Sequence, residues 1–199
     1  FDGERLLTGK AALSLCRTVP TQANDCFWDD LNQEPLPQPL GSALSTADLV
    51  HAHLSSLWAS LPERPAEAII ALSSAFDRER MGLLLGIMQS IPIPVVGVVD
   101  SAVLCATAVS KRVRNVVHVD LLLHRCVITR VTRNDGWVRE SVDVVDDCGW
   151  LSLLELWSHA IADRFIRTTR FDPLHAAADE QRLSDLLPGC LATLASEKE

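Results

Sequence analysis

The chain has 199 residues, 48% of them apolar and 22% charged, which is enough to bury a core in one domain or two small ones and too apolar for a disordered chain. Its net charge of −8 excludes a general nucleic-acid or anionic-membrane binder, since phosphate contacts need clustered Lys and Arg. No apolar run approaches the roughly 20 residues needed to cross a bilayer.

Residues 1–44 are broken up by Pro20, Pro35, Pro37, Pro39 and Gly41, and 32–41 read as an exposed connection. Helical order begins at Ser45, which forms a capping box with Asp48 three residues later. Leu49, His53, Leu57 and Leu61, flanked by Val50, Leu54 and Trp58, make an apolar stripe at helical spacing. After Pro62 and Pro65 the short apolar run 68–72 suits a strand buried on both faces. Asp77 caps a second helix with Met81, Leu84, Leu85 and Met88 on its buried side, and Pro92 and Pro94 end it. Residues 94–99 form the next buried strand and 102–110 a helix of small residues. Strand, helix, strand, helix is the rhythm of a layered α/β sheet.

That rhythm then changes. Residues 116–123, 126–132 and 137–145 read as three successive strands, the last two joined by the hairpin signal Asn134-Asp135-Gly136. A long helix over 151–167 buries Leu153, Leu156, Trp157, Ala160, Ile161 and Phe165, and a last helix covers 176–187. The modest basic groups at 111–114 and 164–170 read as solvated helix ends.

Six cysteines lie far apart with no C-x-x-C pair, so zinc-ligand spacing is absent. An even count permits a disulfide framework, but such frameworks typify smaller secreted domains. All six are expected reduced in a cytoplasmic protein, with Cys105 and Cys126 packing as small hydrophobes. The opening Phe1-Asp2-Gly3-Glu4-Arg5 lacks the basic head and apolar stretch of a signal peptide. It also lacks Met, as a trimmed or excised piece would.

Other polar groups carry little chemistry. His51 and His53 point about 200° apart on a helix and cannot share a metal. Gly82 and Gly86, four apart on a helix, suit close packing. Ser73-Ser74 follows a strand end but lacks a nucleophile elbow and a His–Asp partner. Asp143, Asp146 and Asp147 form an acidic strand end without calcium-loop spacing.

The junction between the two rhythms resembles that of the actin/Hsp70-type ATPases. Each half of such a protein begins with three strands and a helix and ends with strand-helix-strand-helix. The run Val98-Val99-Asp100-Ser101-Ala102-Val103-Leu104-Cys105-Ala106 is similar to the family's Asn-Glu-Pro-Thr-Ala-Ala-Ala turn and linking helix, with Asp100 in the place of Glu. Val116-Val117-His118-Val119-Asp120-Leu121-Leu122-Leu123 stands where the family has a strand and an Asp-x-Gly-Gly-Gly-Thr phosphate loop. Leu7-Thr8-Gly9-Lys10-Ala11-Ala12 resembles its Gly-x-Ala-Ala element, followed by Val19-Pro20-Thr21. Ser74-Ala75-Phe76-Asp77 is similar to its Pro-Ala-x-Phe turn. Gly149-Trp150-Leu151 resembles the start of its second-lobe helix.

The resemblance implies an α/β actin-like ATPase (ribonuclease H-like) fold, incomplete, with two mixed-sheet lobes. Residues 1–113 would be the back part of the first and 114–199 the front part of the second. It implies vestigial cofactor-binding positions at Asp120 and Asp100. A phosphate cradle needs glycines for close N–H approach and positive φ, and Leu121-Leu122-Leu123 supplies neither. Leu13 stands at the family's catalytic Lys position, and Lys10 lies within the motif itself. The family's first phosphate loop and its adenosine-binding glycines would lie outside residues 1–199.

The expectation is therefore a non-catalytic Hsp70/actin-like module that binds a protein partner or forms a homodimer, with no catalytic residue, metal or cofactor, and no nucleic acid or membrane. The alternative is a fragment of a genuine Hsp70-like ATP-binding chaperone or ATPase, using ATP and Mg²⁺. A third is an unrelated α/β metabolic enzyme.

Overall fold

A computed structural model describes residues 1–109 and 112–196 of a mixed α/β chain. Lys111, and Ser110 at the expected end of the small-residue helix, lie outside the described residues. The chain divides into two compact units, one of residues 1–25, 40–42 and 151–199 and the other of 26–39 and 43–150.

The larger unit is built on the expected elements. Ser45 caps α2 (Thr46–Ser60) with the full capping box, its hydroxyl accepting from the Asp48 N–H. In return the Asp48 carboxylate accepts from the N–H groups of Leu44 and Ser45. Burial pushes the Asp48 carboxyl up, but these donors and the Ser45 hydroxyl outweigh it, and the net pKa lies below the ordinary value. β3 (Ala68–Leu72) pairs in parallel with β4 (Val95–Asp100) across the helix α3 (Arg78–Gln89), which Asp77 caps through the Arg80 N–H. Leu31, Val50, Leu72, Leu84 and Met88 form the core between these elements.

The helix α4 (Ser101–Thr107) follows β4 directly. β5 (Asn115–Leu121), β6 (Arg125–Arg133) and β7 (Trp137–Asp146) then make an antiparallel sheet in that order. Ala102 and Ala106 of α4 pack on Val131 of β6, close contact that small side chains allow. In the Pro-rich stretch expected as a connection, β1 (Pro35–Leu40) instead pairs with β2 (Ala43–Ser45). Pro can sit in such a strand because a two-stranded ribbon has edges that need no N–H donor.

Several faces expected to be buried are open. Ile69 is 68% exposed, because a two-stranded sheet with its core on one side leaves the other uncovered. Leu57, Leu61, Leu85 and Cys105 are also exposed. Gly82 and Gly86 allow no close packing, since a Cβ at either meets nothing within 4 Å.

The smaller unit holds α1 (Gly9–Leu13), a 3₁₀ turn (Pro20–Gln22), most of α5 (Trp150–Thr169) and α6 (Ala177–Ser196). Buried Gln181 ties α6 to the segment after α1: it accepts from the Arg17 N–H at 2.9 Å and donates to the Leu13 carbonyl at 2.9 Å. Arg17 pairs with Glu180 at 3.4 Å. Ala162 is the buried residue of α5, whereas Leu153, Leu156, Trp157 and Phe165 are exposed. The helical period marks one apolar stripe there, and most of it is exposed. α6 runs on through Pro188, nine residues beyond the expected end at 187. No helix among the described residues is long and apolar enough to cross a membrane.

Candidate functional site

Parallel strands in α/β folds present ligands at their C-terminal ends, and Asp100 stands at that end of β4. Its carboxylate is heavily engaged. The N–H groups of Ala102 and Val103 donate to it at 2.9 and 3.3 Å, capping α4. Ser74, buried after β3, donates its hydroxyl to both oxygens at 2.9 Å. Arg139 of β7 adds an ion pair at 3.0 Å and also donates to the Ser74 carbonyl at 3.3 Å. A cavity of about 260 Å³ beside them is lined by Leu72, Phe76, Met81 and Val98 with Asp100 and Arg139. These bonds use the acceptor positions a ligand would need. Asp100 is a clamp that joins β3, α4 and β7.

Asp100→Ala is therefore expected to lower unfolding free energy by about 2–4 kcal/mol, adding a lost cap to a stranded buried Ser74 hydroxyl. The half-exposed Arg139 pair contributes little to that figure. Urea denaturation followed by circular dichroism would read it, and a loss within about 0.5 kcal/mol, the scale of an ordinary surface change, would show the clamp to be idle.

Asp120 lies on β5 opposite Val127, which is fully buried. It is half-buried and shares its row with Val116 and His118, and its carboxylate has no hydrogen-bond or ion-pair partner among the described residues. No such bond links it to Asp100 either. His118 Nδ1 and, on the strand position facing it, Thr129 Oγ1 are buried without hydrogen-bond partners among the described residues.

The turn that follows decides what Asp120 can do. Leu122 donates its N–H to the Arg125 carbonyl at 2.9 Å, which leaves Leu123 and His124 as a two-residue loop. From behind, Trp150 donates its N–H to the Leu122 carbonyl at 2.8 Å, and Gly149 lies against the Leu123 and His124 backbone. A closed two-residue loop offers no ring of free N–H groups to a polyphosphate.

Two further places carry polar groups. Gln33, Asp48, His51, Gly82 and Gly86 line an open hollow of about 400 Å³. His51 and His53 have separate surroundings, as their spacing requires: His53 Nδ1 accepts from Trp28 Nε1 at 3.0 Å, and burial lowers its pKa. The second place was not legible in the sequence, because its members lie 98 positions apart. Cys26 Sγ is 3.5 Å from His124 Nε2, both half-buried. Next to it Arg125 pairs with Asp29 at 3.3 Å.

No protein-family model matches this chain, and no curated protein matches its sequence.

Proposed function

We propose that this chain is a non-catalytic module of actin/Hsp70-like architecture that acts through protein contacts, and that it pairs with a second copy of itself along β5. Three observations support the module: the order β3–α3–β4–α4 followed by an antiparallel meander and a long helix, the engaged carboxylate of Asp100, and the closed leucine turn after Asp120.

The observation that carries the contact is the edge of β5. It has no neighbouring strand on its outer side among the described residues, and Val117 and Val119 beside it are 64% and 60% exposed. Natural sheets protect such edges with Lys, Pro or inward charges. β5 has neither Lys nor Pro, and Asp120 on its half-buried row is its one inward charge. The opposite edge strand, β7, carries Arg139, Glu140, Asp143 and Asp146. Antiparallel pairing of two β5 strands about His118 sets Val117 against Val119 and Val116 against Asp120, so no like charges oppose one another.

Sedimentation velocity tests this reading. The expected result is a dimer at micromolar concentration that Val119→Lys converts to a monomer, since Val119 is exposed and its replacement leaves the core untouched. A wild-type monomer, or a dimer indifferent to Val119→Lys, would overturn the pairing. Calorimetric titration of ATP with Mg²⁺ should give no heat, and micromolar binding would instead favour the fragment of an ATP-binding chaperone.

A further inference from the structure

Cys26 and His124 come from distant parts of the chain and meet for reasons the surrounding bonds explain. Asp29 and Asp30 donate their N–H groups to the Cys26 carbonyl at 2.8 and 2.9 Å, winding the segment into a turn. That turn is fastened to α2, where Thr46 donates its hydroxyl to the Asp30 carbonyl at 2.8 Å and accepts the Asn32 N–H at 2.9 Å. It is fastened again to β6, where Arg125 meets Asp29. His124 sits in the two-residue loop held from behind by Trp150 and Gly149. Both partners of the 3.5 Å contact are thus placed by fixed backbone rather than by free side chains.

We propose that Cys26 and His124 form a thiolate–imidazolium pair, and that Cys26 is the site in this chain that hydroperoxides oxidise. An imidazole beside a thiol takes its proton and stabilises the thiolate, the form that reacts. The thiolate sulfur attacks the terminal oxygen of the hydroperoxide: the S–O bond forms, the O–O bond breaks, and the departing alkoxide or hydroxide takes the proton from His124. Sulfur loses two electrons and the peroxide gains them. The products are a sulfenic acid, neutral His124 and an alcohol or water.

The other five thiols lack this partner among the described residues. Cys16 donates to the Leu13 carbonyl at 3.1 Å and burial raises its pKa. Cys126 is buried, and Cys105, Cys148 and Cys190 are exposed. Charged groups near the pair include Asp29 and Arg125, which pair with one another, Asp146, which lies 3.7 Å from Arg125, and Asp25, whose carboxylate lies within 4.8 Å of Cys26 Sγ and the His124 ring.

The test is the pH dependence of iodoacetamide alkylation of the native chain, resolved for each cysteine by peptide mass spectrometry. Partial burial slows a thiol at every pH and by itself moves its midpoint up, so a midpoint below that of exposed thiols separates activation from access. The alkylation midpoint of Cys26 should lie below those of exposed Cys148 and Cys190. His124→Gln should move Cys26 up to the others while leaving Cys148 unchanged. Hydrogen peroxide followed by dimedone should label Cys26 first, and about a hundredfold more slowly in His124→Gln, the lower end of what one proton partner contributes. A Cys26 midpoint equal to that of Cys148 in the wild type would overturn the proposal even if the variant fails to fold. So would labelling indifferent to His124.

Discussion

Gly149→Ala should be among the most damaging single-methyl changes available in this chain, costing about 3 kcal/mol or more against the 5–15 kcal/mol of a typical domain. A Cβ at Gly149 would fall inside the van der Waals envelope of the Leu123 carbonyl oxygen and the His124 backbone. Those are backbone atoms of a loop closed by the Leu122–Arg125 hydrogen bond, so they cannot swing away as a flexible side chain would. Moving them also strains the 2.8 Å bond from Trp150 to Leu122. Gly82→Ala and Gly86→Ala supply the internal comparison. Each adds the same methyl in α3 where it meets nothing, and each should stabilise by about 0.5–1 kcal/mol through helix propensity. Urea melts of the three variants read the difference in sign, and a Gly149→Ala midpoint matching the wild type would show that the loop yields.

Leu84→Ala is the second large effect, expected at about 3–5 kcal/mol. Leu84 is 1% exposed and packs among Val50, Leu72 and Met88, contributed by α2, β3 and α3. Collapse into the vacated space would need all three elements to shift, so much of the cavity should persist. Leu85→Ala removes the same atoms from the next position, which is 36% exposed, and should cost under about 1 kcal/mol, as partly exposed sites usually do. Equal losses at the two positions would mean that the core does not lie where these elements place it.

That pair shows where sequence legibility stopped. Periodicity put Leu84 and Leu85 on one apolar stripe, yet a stripe says nothing about what covers it. The same gap accounts for Ile69, Leu57 and the open side of α5 at Leu156, Trp157 and Phe165. Local chemistry was far more readable. The Ser45–Asp48 capping box, the Asp77 cap and the Asn134-Asp135-Gly136 turn are written within four residues, and each stands where its residues indicate. Strand β3 has the expected bounds, 68–72, since Pro65 and Ser73 bracket an unbroken apolar run.

The polar sites were the least legible. Ser74, Asp100 and Arg139 converge from positions 26 and 39 residues apart, which only the parallel pairing of β3 with β4 and the packing of α4 bring together. Resemblance marks Asp100 as a cofactor position, and in the structure its carboxylate serves a helix cap, a hydroxyl and a guanidinium. Gly149, which by resemblance marks the start of a second-lobe helix, lies against the Leu123–His124 loop, and that contact gives it a steric role.

The two sheets of the larger unit also differ in how far the chain must travel to make them. β3 reaches β4 across 22 residues, 73 to 94, whereas β5, β6 and β7 are joined by three residues each time. Loop-closure entropy scales with the logarithm of that separation, so each hairpin closes at about 2 kcal/mol less than the parallel crossover. The meander can thus assemble from its own neighbours, while β3 and β4 must wait for α3 to fold between them. The clamp at Asp100 joins the long crossover to the short hairpins: Arg139 belongs to the meander, and Ser74 to the turn that follows β3.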